Sequence, residues 1–322
     1  MKTAFSENWW NVYFTSPEKK TNASLKSETP ERAFIRNIKN ARKSFYGAFF
    51  DINSKPIIDE LLIAHKKGID VKLVIEKDNY RKKEIKELVS AGIEIVTDRK
   101  KGLMHNKFAV IDGRIVWTGS YNLTYNDEYK NNNNAIEINS PDVANIYLNE
   151  FNEMFVNKIF GNKREYGVFP SFRNKYYVKI NHTDINVYFS PDDNIERIIL
   201  ERLKKAKESV YFMAFSFTSD KIADAMIALK KSGIKVSGII EKIGSNTRDS
   251  EYIKLQLEGI NVKLDKNKYR MHHKVIIIDK KLLITGSYNF SRNANEKNDE
   301  NIIILNNKDI INLYIVEFFK LF

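Results

Sequence analysis

Cysteine is absent from this 322-residue chain, which excludes disulfide cross-links and thiol catalysis and fits either side of a bacterial membrane. No uninterrupted apolar run is long enough to span a bilayer. The amino terminus lacks the apolar core of about 7–15 residues, set behind a charged start, that marks a signal peptide. A soluble, cytoplasmic protein is therefore expected. Histidine is scarce, with five residues. No spacing of these residues resembles a zinc site, and no acidic cluster resembles a two-metal centre, so neither metal nor cofactor is expected.

What the chain does have is one short pattern written twice. The first copy reads His105-Asn106-Lys107, then Asp112, then Gly119-Ser120-Tyr121-Asn122. The second reads His272-His273-Lys274, then Asp279, then Gly286-Ser287-Tyr288-Asn289. The copies stand 167 positions apart (272 − 105), with every internal interval preserved. A lone His-x-Lys-x4-Asp arises easily by chance in a Lys-rich chain, but a duplicate with its Gly-Ser-Tyr-Asn continuation in register does not.

Strand geometry gives the pattern its meaning. Side chains alternate faces with period two, so His105 and Lys107 share a face, as do His272 and Lys274. The apolar residues that follow, Phe-Ala-Val-Ile and Val-Ile-Ile-Ile, suit strands buried on both faces. Asp112 and Asp279 fall an odd number of residues after their histidines and read as turn or support residues. Asp112-Gly113 is a tight-turn signal into a further strand, Arg114 to Thr118. Ser120 and Asn122 then share a face, as do Ser287 and Asn289. Each copy thus offers an imidazole, an ammonium, a hydroxyl and an amide.

That set suits a phosphodiester. Lysine supplies charge and donors to the non-bridging oxygens, and Ser and Asn add neutral hydrogen bonds. Neutral imidazole can attack phosphorus covalently, while displacement needs a second group to protonate the leaving oxygen. One copy holds a single suitable histidine. Two copies related by approximate two-fold symmetry can place one on each side of a phosphorus.

These residues resemble the phospholipase D superfamily, whose duplicated His-Lys-Asp motifs meet between two similar α/β domains. The resemblance covers nearly the whole chain. It implies a metal-independent phosphodiesterase or transphosphatidylase working through a phosphohistidine. The second repeat, from Ser209-Val210-Tyr211-Phe212 to Asn301-Ile302-Ile303, looks most like the superfamily's small bacterial nucleases. In those members a Glu at the position of Glu300 accepts a hydrogen bond from the catalytic histidine. The first copy has Asn133 where the second has Glu300. A carboxylate partner favours imidazolium, whereas an amide orients the ring without favouring its charge. On that argument His105 is the neutral nucleophile, and His272, oriented by Glu300, is the charged general acid. The superfamily's usual assignment of the nucleophile to the N-terminal motif agrees. Glu137 is a further carboxylate near the motif, though it falls inside the following strand.

Strands alternate with helices through both halves. Ile69–Glu76 follows a helical stretch, Pro56 to Lys67, that ends at Gly68. Ile234–Glu241 follows Lys221 to Ser232 and Gly233. The expected fold is two tandem α/β/α sandwich domains with mixed sheets, residues 1–155 and 181–322, related by pseudo-two-fold symmetry with the site at their interface. The connector, 156–180, carries six basic residues and one acidic. It interleaves Phe160, Tyr166, Phe169, Phe172, Tyr176 and Tyr177 with Lys163, Arg164, Arg173 and Lys175. Cations beside aromatics describe a nucleic-acid groove, and a solvated linker whose rings pack on the domains is the plainer reading. Arg99, Lys100 and Lys101 precede one catalytic strand, and Lys266, Lys268 and Arg270 the other. By repeat symmetry both clusters should flank one cleft and steer a polyanion into it.

The expected function is hydrolysis of phosphodiesters in DNA or RNA. Lys107 and Lys274 would clamp phosphate, and Ser120, Asn122, Ser287 and Asn289 would complete the hydrogen bonding. A phospholipase or phosphatidyltransferase acting on anionic lipid is the alternative enzyme, and a nucleic-acid-binding protein that does not cut is the third reading. One chain suffices for a complete site, whether or not it self-associates. Among the remaining features, His273 reads as structural or a rim contact, His65 as exposed and His182 as a loop residue. Trp9-Trp10 with Tyr13 and Phe14 read as a packed N-terminal strand, and Asn131–Asn134 as a loop over the site.

Overall fold

Each half of the chain builds one mixed sheet with helices on both sides. The structure, a computed structural model, describes residues 9–17, 28–99, 101–162 and 176–322. The first half runs β1 (Trp10–Phe14), α1 (Pro30–Asn40), β2 (Ser44–Phe49), α2 (Lys55–Lys66), β3 (Asp70–Ile75), α3 (Lys83–Ser90), β4 (Glu94–Thr97), β5 (Lys107–Ile111), β6 (Ile115–Gly119), α4 (Tyr125–Tyr129), β7 (Asn131–Asn132), β8 (Asn134–Asn139) and α5 (Pro141–Phe155). The second runs β9 (Tyr177–Ile180), β10 (Thr183–Ser190), α6 (Ile195–Leu203), β11 (Ser209–Ala214), α7 (Asp220–Lys231), β12 (Lys235–Ile240), α8 (Tyr252–Leu257), β13 (Asn261–Leu264), β14 (Arg270–Met271), β15 (Lys274–Ile278), β16 (Leu282–Gly286), α9 (Arg292–Glu296), β17 (Glu300–Leu305) and α10 (Lys308–Leu321).

The sheets order as β1-β8-β6-β5-β2-β3-β4 and β13-β12-β11-β15-β16-β17-β10-β9. In both, three strands run parallel and the motif strand pairs antiparallel with its neighbours. The motif strands β5 and β15 are buried throughout, and each feeds two cores. Phe108, Val110, Val275 and Ile277 face a central core, while Ala109, Ile111, Ile276 and Ile278 face the outer ones. That central core holds α5 and α10 between the sheets, through Tyr147 and Phe151 on one and Tyr314 and Phe318 on the other. Both helices start at a side-chain cap, Ser140 Oγ accepting from Val143 N and Asn307 Oδ1 from Ile310 N. Each then repeats apolar residues at helical spacing.

The halves are stitched by matched bonds. The two-residue strands β7 and β14 pair with each other, Met104 bridges Asp299, and His105 and His272 donate their amides to Asp299 O and Asn132 O. Those acceptors are themselves 167 apart, so the stitching follows the repeat symmetry.

Three local expectations change. The last residues of the 156–180 connector form β9, which belongs to the second sheet. Asn131–Asn134 is no loop over the site: its backbone makes β7 and opens β8, with Asn132–Asn134 buried in the seam between repeats. His65 is half-buried rather than exposed. His182 lies in the β9–β10 turn, and among the described residues no helix is long and apolar enough to cross a membrane.

Candidate active site

The two motifs meet at the seam, at the carboxyl end of the parallel strands. His105 and Lys107 sit where β5 begins, and His272 and Lys274 where β15 begins. Both lysines are sealed from solvent, and each donates Nζ to the carbonyl of its own motif histidine at 2.8 Å. A phenylalanine roofs each pair. Phe50 stands edge-on to His105 at 5.0 Å and lies 5.2 Å from Lys107 Nζ, and Phe215 does the same at 4.6 Å to both His272 and Lys274. Just upstream, Glu76 and Glu241 accept from the amides of Met104 and Met271, fixing the entry to each motif.

The histidines find their partners across the seam, not within their own repeat. His105 Nδ1 lies 2.7 Å from Glu300 Oε2, while His272 Nδ1 faces Asn133 Oδ1 at 2.9 Å and Ser120 O at 3.1 Å. This corrects the sequence expectation that Glu300 orients His272 and that Asn133 belongs with His105. The halves interlock so that the segment entering β8 or β17 supports the opposite motif. All of these partners are acceptors, so Nδ1 carries the proton in both rings and Nε2 presents a lone pair to the site.

Burial pushes every motif cation towards its neutral form. His105 falls below the ordinary histidine range by desolvation, opposed by Glu300. His272 falls further, through desolvation and then both lysines. Lys107 is lowered to about 8, and Lys274 goes well below its usual value, where Lys107 adds repulsion to burial. Each histidine feels the other repeat's lysine, which places the four groups in one electrostatic site.

The remaining motif residues divide between the pocket and its scaffold. Ser120 Oγ donates to Asn133 Oδ1 and accepts from Asn134 N, and Ser287 Oγ accepts from Asn301 N. Asn122 is anchored by its Nδ2 on Asp127 Oδ2 at 2.6 Å. The Oδ1 atoms of Asn122 and Asn289 are both buried without a partner. Asp112 and Asp279 stand at the far ends of β5 and β15. Each accepts from three successive amides, Arg42–Ser44 and Lys207–Ser209, which hold both carboxyls below the usual carboxylate range. Among the described residues no group of three or more His, Cys, Asp or Glu is placed to hold a metal.

The proposed substrate-binding residues scatter. Arg99 lines a cavity of about 580 Å³ with Tyr80, Lys158 and Phe160, and Lys266 lines another of about 300 Å³ with Asp265 and Lys320. One member of each basic cluster thus lines a cavity of its own. Lys101 and Lys268 are exposed. Arg270 is the member seen against the site, its guanidinium 5.7 Å from the Phe215 ring that covers His272. Of the connector aromatics, Phe160 is core and Tyr176 packs on Tyr188 and Phe189, which withdraws both from base stacking. Lys100, Lys163, Arg164, Arg173 and Lys175, with Tyr166, Phe169 and Phe172, lie outside the described residues. His273 is buried against Asn134 Nδ2 at 2.9 Å, and Glu137 ties β8 to Asn11, Arg36 and Asn37 away from the motifs.

Phe50, Phe215, Glu76, Glu241 and Asp127 were not singled out from sequence. The first four do repeat, at 165 positions (215 − 50 and 241 − 76) rather than 167, because the second half carries two extra residues before its motif. Asp127 has no such signal, since Ala294 stands in its place in the second repeat.

A family model described as "Cardiolipin synthase, PLD-like domain" matches twice, over residues 34–155 and 199–322. A phospholipase D of Rickettsia typhi is 31% identical over 153 residues, 47% of this chain and 75% of that protein. A mitochondrial cardiolipin hydrolase of Chlamydomonas reinhardtii is 34% identical over 122 residues, 38% of this chain and 55% of that protein. Among solved structures, a phosphatidylserine synthase from Haemophilus influenzae matches 89% of this chain and 82% of its own with a TM-score of 0.70. Its identity is 14%, so the likeness is one of fold.

Proposed function

We propose, from the premise that this chain belongs to the phospholipase D superfamily, that it hydrolyses phosphodiester bonds of nucleic acid through a phosphohistidine and without a metal ion. The observation that carries the reading is the pair of sealed lysines. Neither ammonium has a carboxylate at salt-bridge distance among the described residues, and each is driven towards neutrality by burial. Buried cations with no carboxylate in direct contact describe a site completed by an anion, and a diester phosphate between the motifs supplies one.

His105 Nε2 attacks phosphorus while Glu300 accepts the Nδ1–H hydrogen bond and offsets the positive charge of the phosphorylated ring. The bond to the leaving oxygen breaks as His272, protonated on Nε2, donates to that oxygen. His272, now neutral, takes a proton from water, and the hydroxide displaces His105 from phosphorus. The cycle consumes one water and returns both rings to their starting states. In the empty site burial and the lysines oppose protonation of His272. A bound diester's negative charge opposes the lysines, so that proton arrives with substrate.

Nucleic acid is favoured by the compact two-repeat length and by the second half's resemblance to the superfamily's small bacterial nucleases. The net charge of +12 and exposed Lys266 and Lys268 suit any polyanion, a nucleic acid or an anionic lipid surface. A phospholipid offers the same reacting group. The names of the Rickettsia and Chlamydomonas relatives favour phospholipid hydrolysis as the second reading. The test is turnover in excess EDTA of labelled single- and double-stranded DNA and RNA beside vesicles of phosphatidylglycerol and cardiolipin. EDTA-resistant cutting of a polynucleotide, lost in His105→Ala and in His272→Ala, is the expected result. Lipid turnover with inert polynucleotide would move the function to the second reading.

A further inference from the structure

We infer that one flank of the site carries a base-stacking platform, Tyr125 and Tyr269 with Lys130 between them, which takes an unpaired nucleobase beside the scissile phosphate and makes the substrate single-stranded. The inference rests on the nucleic-acid reading above and narrows it.

Exposed aromatic side chains gathered in one patch, unlike ones scattered singly, mark an interaction surface. Tyr125 is 57% exposed and Tyr269 42%. Lys130 Nζ lies 5.6 Å from the ring centre of one and 5.3 Å from the other, and Tyr129 leans on Tyr125 at 4.8 Å. The cluster belongs to the same seam as the chemistry. Lys130 immediately precedes β7, Tyr269 immediately precedes β14, and these strands pair. Asn267 Nδ2 closes the junction on Lys130 O at 2.9 Å. Two residues beyond Arg270, the same strand delivers His272. A base stacked on Tyr269, three residues along the chain from His272, has Lys130 at hand for its phosphate.

The other flank has no counterpart. Under the 167-residue repeat, Arg292 stands for Tyr125, Glu296 for Tyr129 and Gly102 for Tyr269. Arg292 is engaged by Glu296 at 2.8 Å. A Cβ at Gly102 would fall 2.0 Å from Lys297 O, so no side chain can stand there. At the repeat-equivalent positions the other flank therefore has an Arg–Glu pair and a glycine in place of the tyrosines. Stacking on a protein ring requires a free base face, which a duplex keeps within its own stack and a diacylglycerol headgroup lacks.

The test measures binding of fluorescein-labelled oligothymidylate and of a hairpin duplex by full-length protein carrying His105→Ala, with Tyr125→Ala or Tyr269→Ala added. The single strand is expected to bind in preference to the duplex. Each tyrosine change should weaken it by about ten-fold with the thermal unfolding midpoint retained. Equal affinity for single strand and duplex, unmoved by either change, would overturn the platform and leave the nuclease reading standing. Failure to bind any polynucleotide, with wild-type turnover of cardiolipin vesicles, would overturn both.

Discussion

One amide exchanged for one carboxylate separates the two histidines. Asn133 and Glu300 occupy equivalent positions, yet each serves the other repeat's ring. Glu300→Gln should slow turnover by about 100-fold, because the phosphorylated His105 loses the charge that offsets it. Asn133→Asp should act on the other ring. A carboxylate beside His272 raises its pKa, so the alkaline limb of kcat/KM, where the general acid loses its proton, moves to higher pH. An unmoved limb would argue that His272 is not the acid. The lysines make a third case. Lys107 titrates near 8 when folded against 10.5 in the free residue. Between those values the unfolded chain binds more protons, so stability rises with pH across that window. Below it, the buried charge costs on the order of 3 kcal/mol. Lys107→Met should therefore abolish turnover while raising the urea midpoint at pH 7, and a lowered midpoint would contradict this account of the site.

Elements β8 and β17 do more than complete their sheets. Asn134 on β8 accepts from Thr285 and Tyr314 and donates to His273, and Asn301 on β17 accepts from Thr118 and Tyr147 and donates to Asn106. Each asparagine thus bonds the opposite repeat three times. Asn301→Ala or Asn134→Ala should cost about 1–3 kcal/mol in chemical denaturation, because buried donors and acceptors lose their partners. The glycine of each Gly-Ser-Tyr-Asn segment belongs to the same contact. At Gly119 and Gly286 a Cβ would fall 2.4 and 2.2 Å from the carbonyls of Asn134 and Asn301, at φ of +148° and +156°. The motif strands, their burial on both faces and the helix-strand alternation were legible because each rests on local period or punctuation. The supports of the histidines were not, since they depend on how two halves far apart in sequence interlock. An Asn run read locally looks like a loop. Only the partner repeat turns it into a seam.

At the scale of the whole chain, a shared central layer and reciprocal bonds tie the two repeats together, so they are expected to unfold as one unit. All three tryptophans, Trp9, Trp10 and Trp117, lie in the first repeat, whereas helix and strand are spread over both. Urea unfolding followed by tryptophan fluorescence and by far-ultraviolet circular dichroism should therefore give coincident transitions. Separate midpoints would mean that the halves fold independently and that the seam is weak. Duplication itself was legible from the motif spacing, and with it the placement of one site between two α/β units. The basic clusters were legible only as charge before each motif strand; in the fold Arg99 and Lys266 line different cavities. The central claim is that His105 is the nucleophile that carries the phosphoryl group, and trapping tests it most directly. Wild-type protein would be mixed with a nucleic-acid substrate in EDTA, quenched in alkali within one turnover, digested and mapped by mass spectrometry. The account predicts a phosphoryl adduct on the peptide holding His105, with none on that holding His272. An adduct on His272, or turnover with no adduct on either, would contradict it.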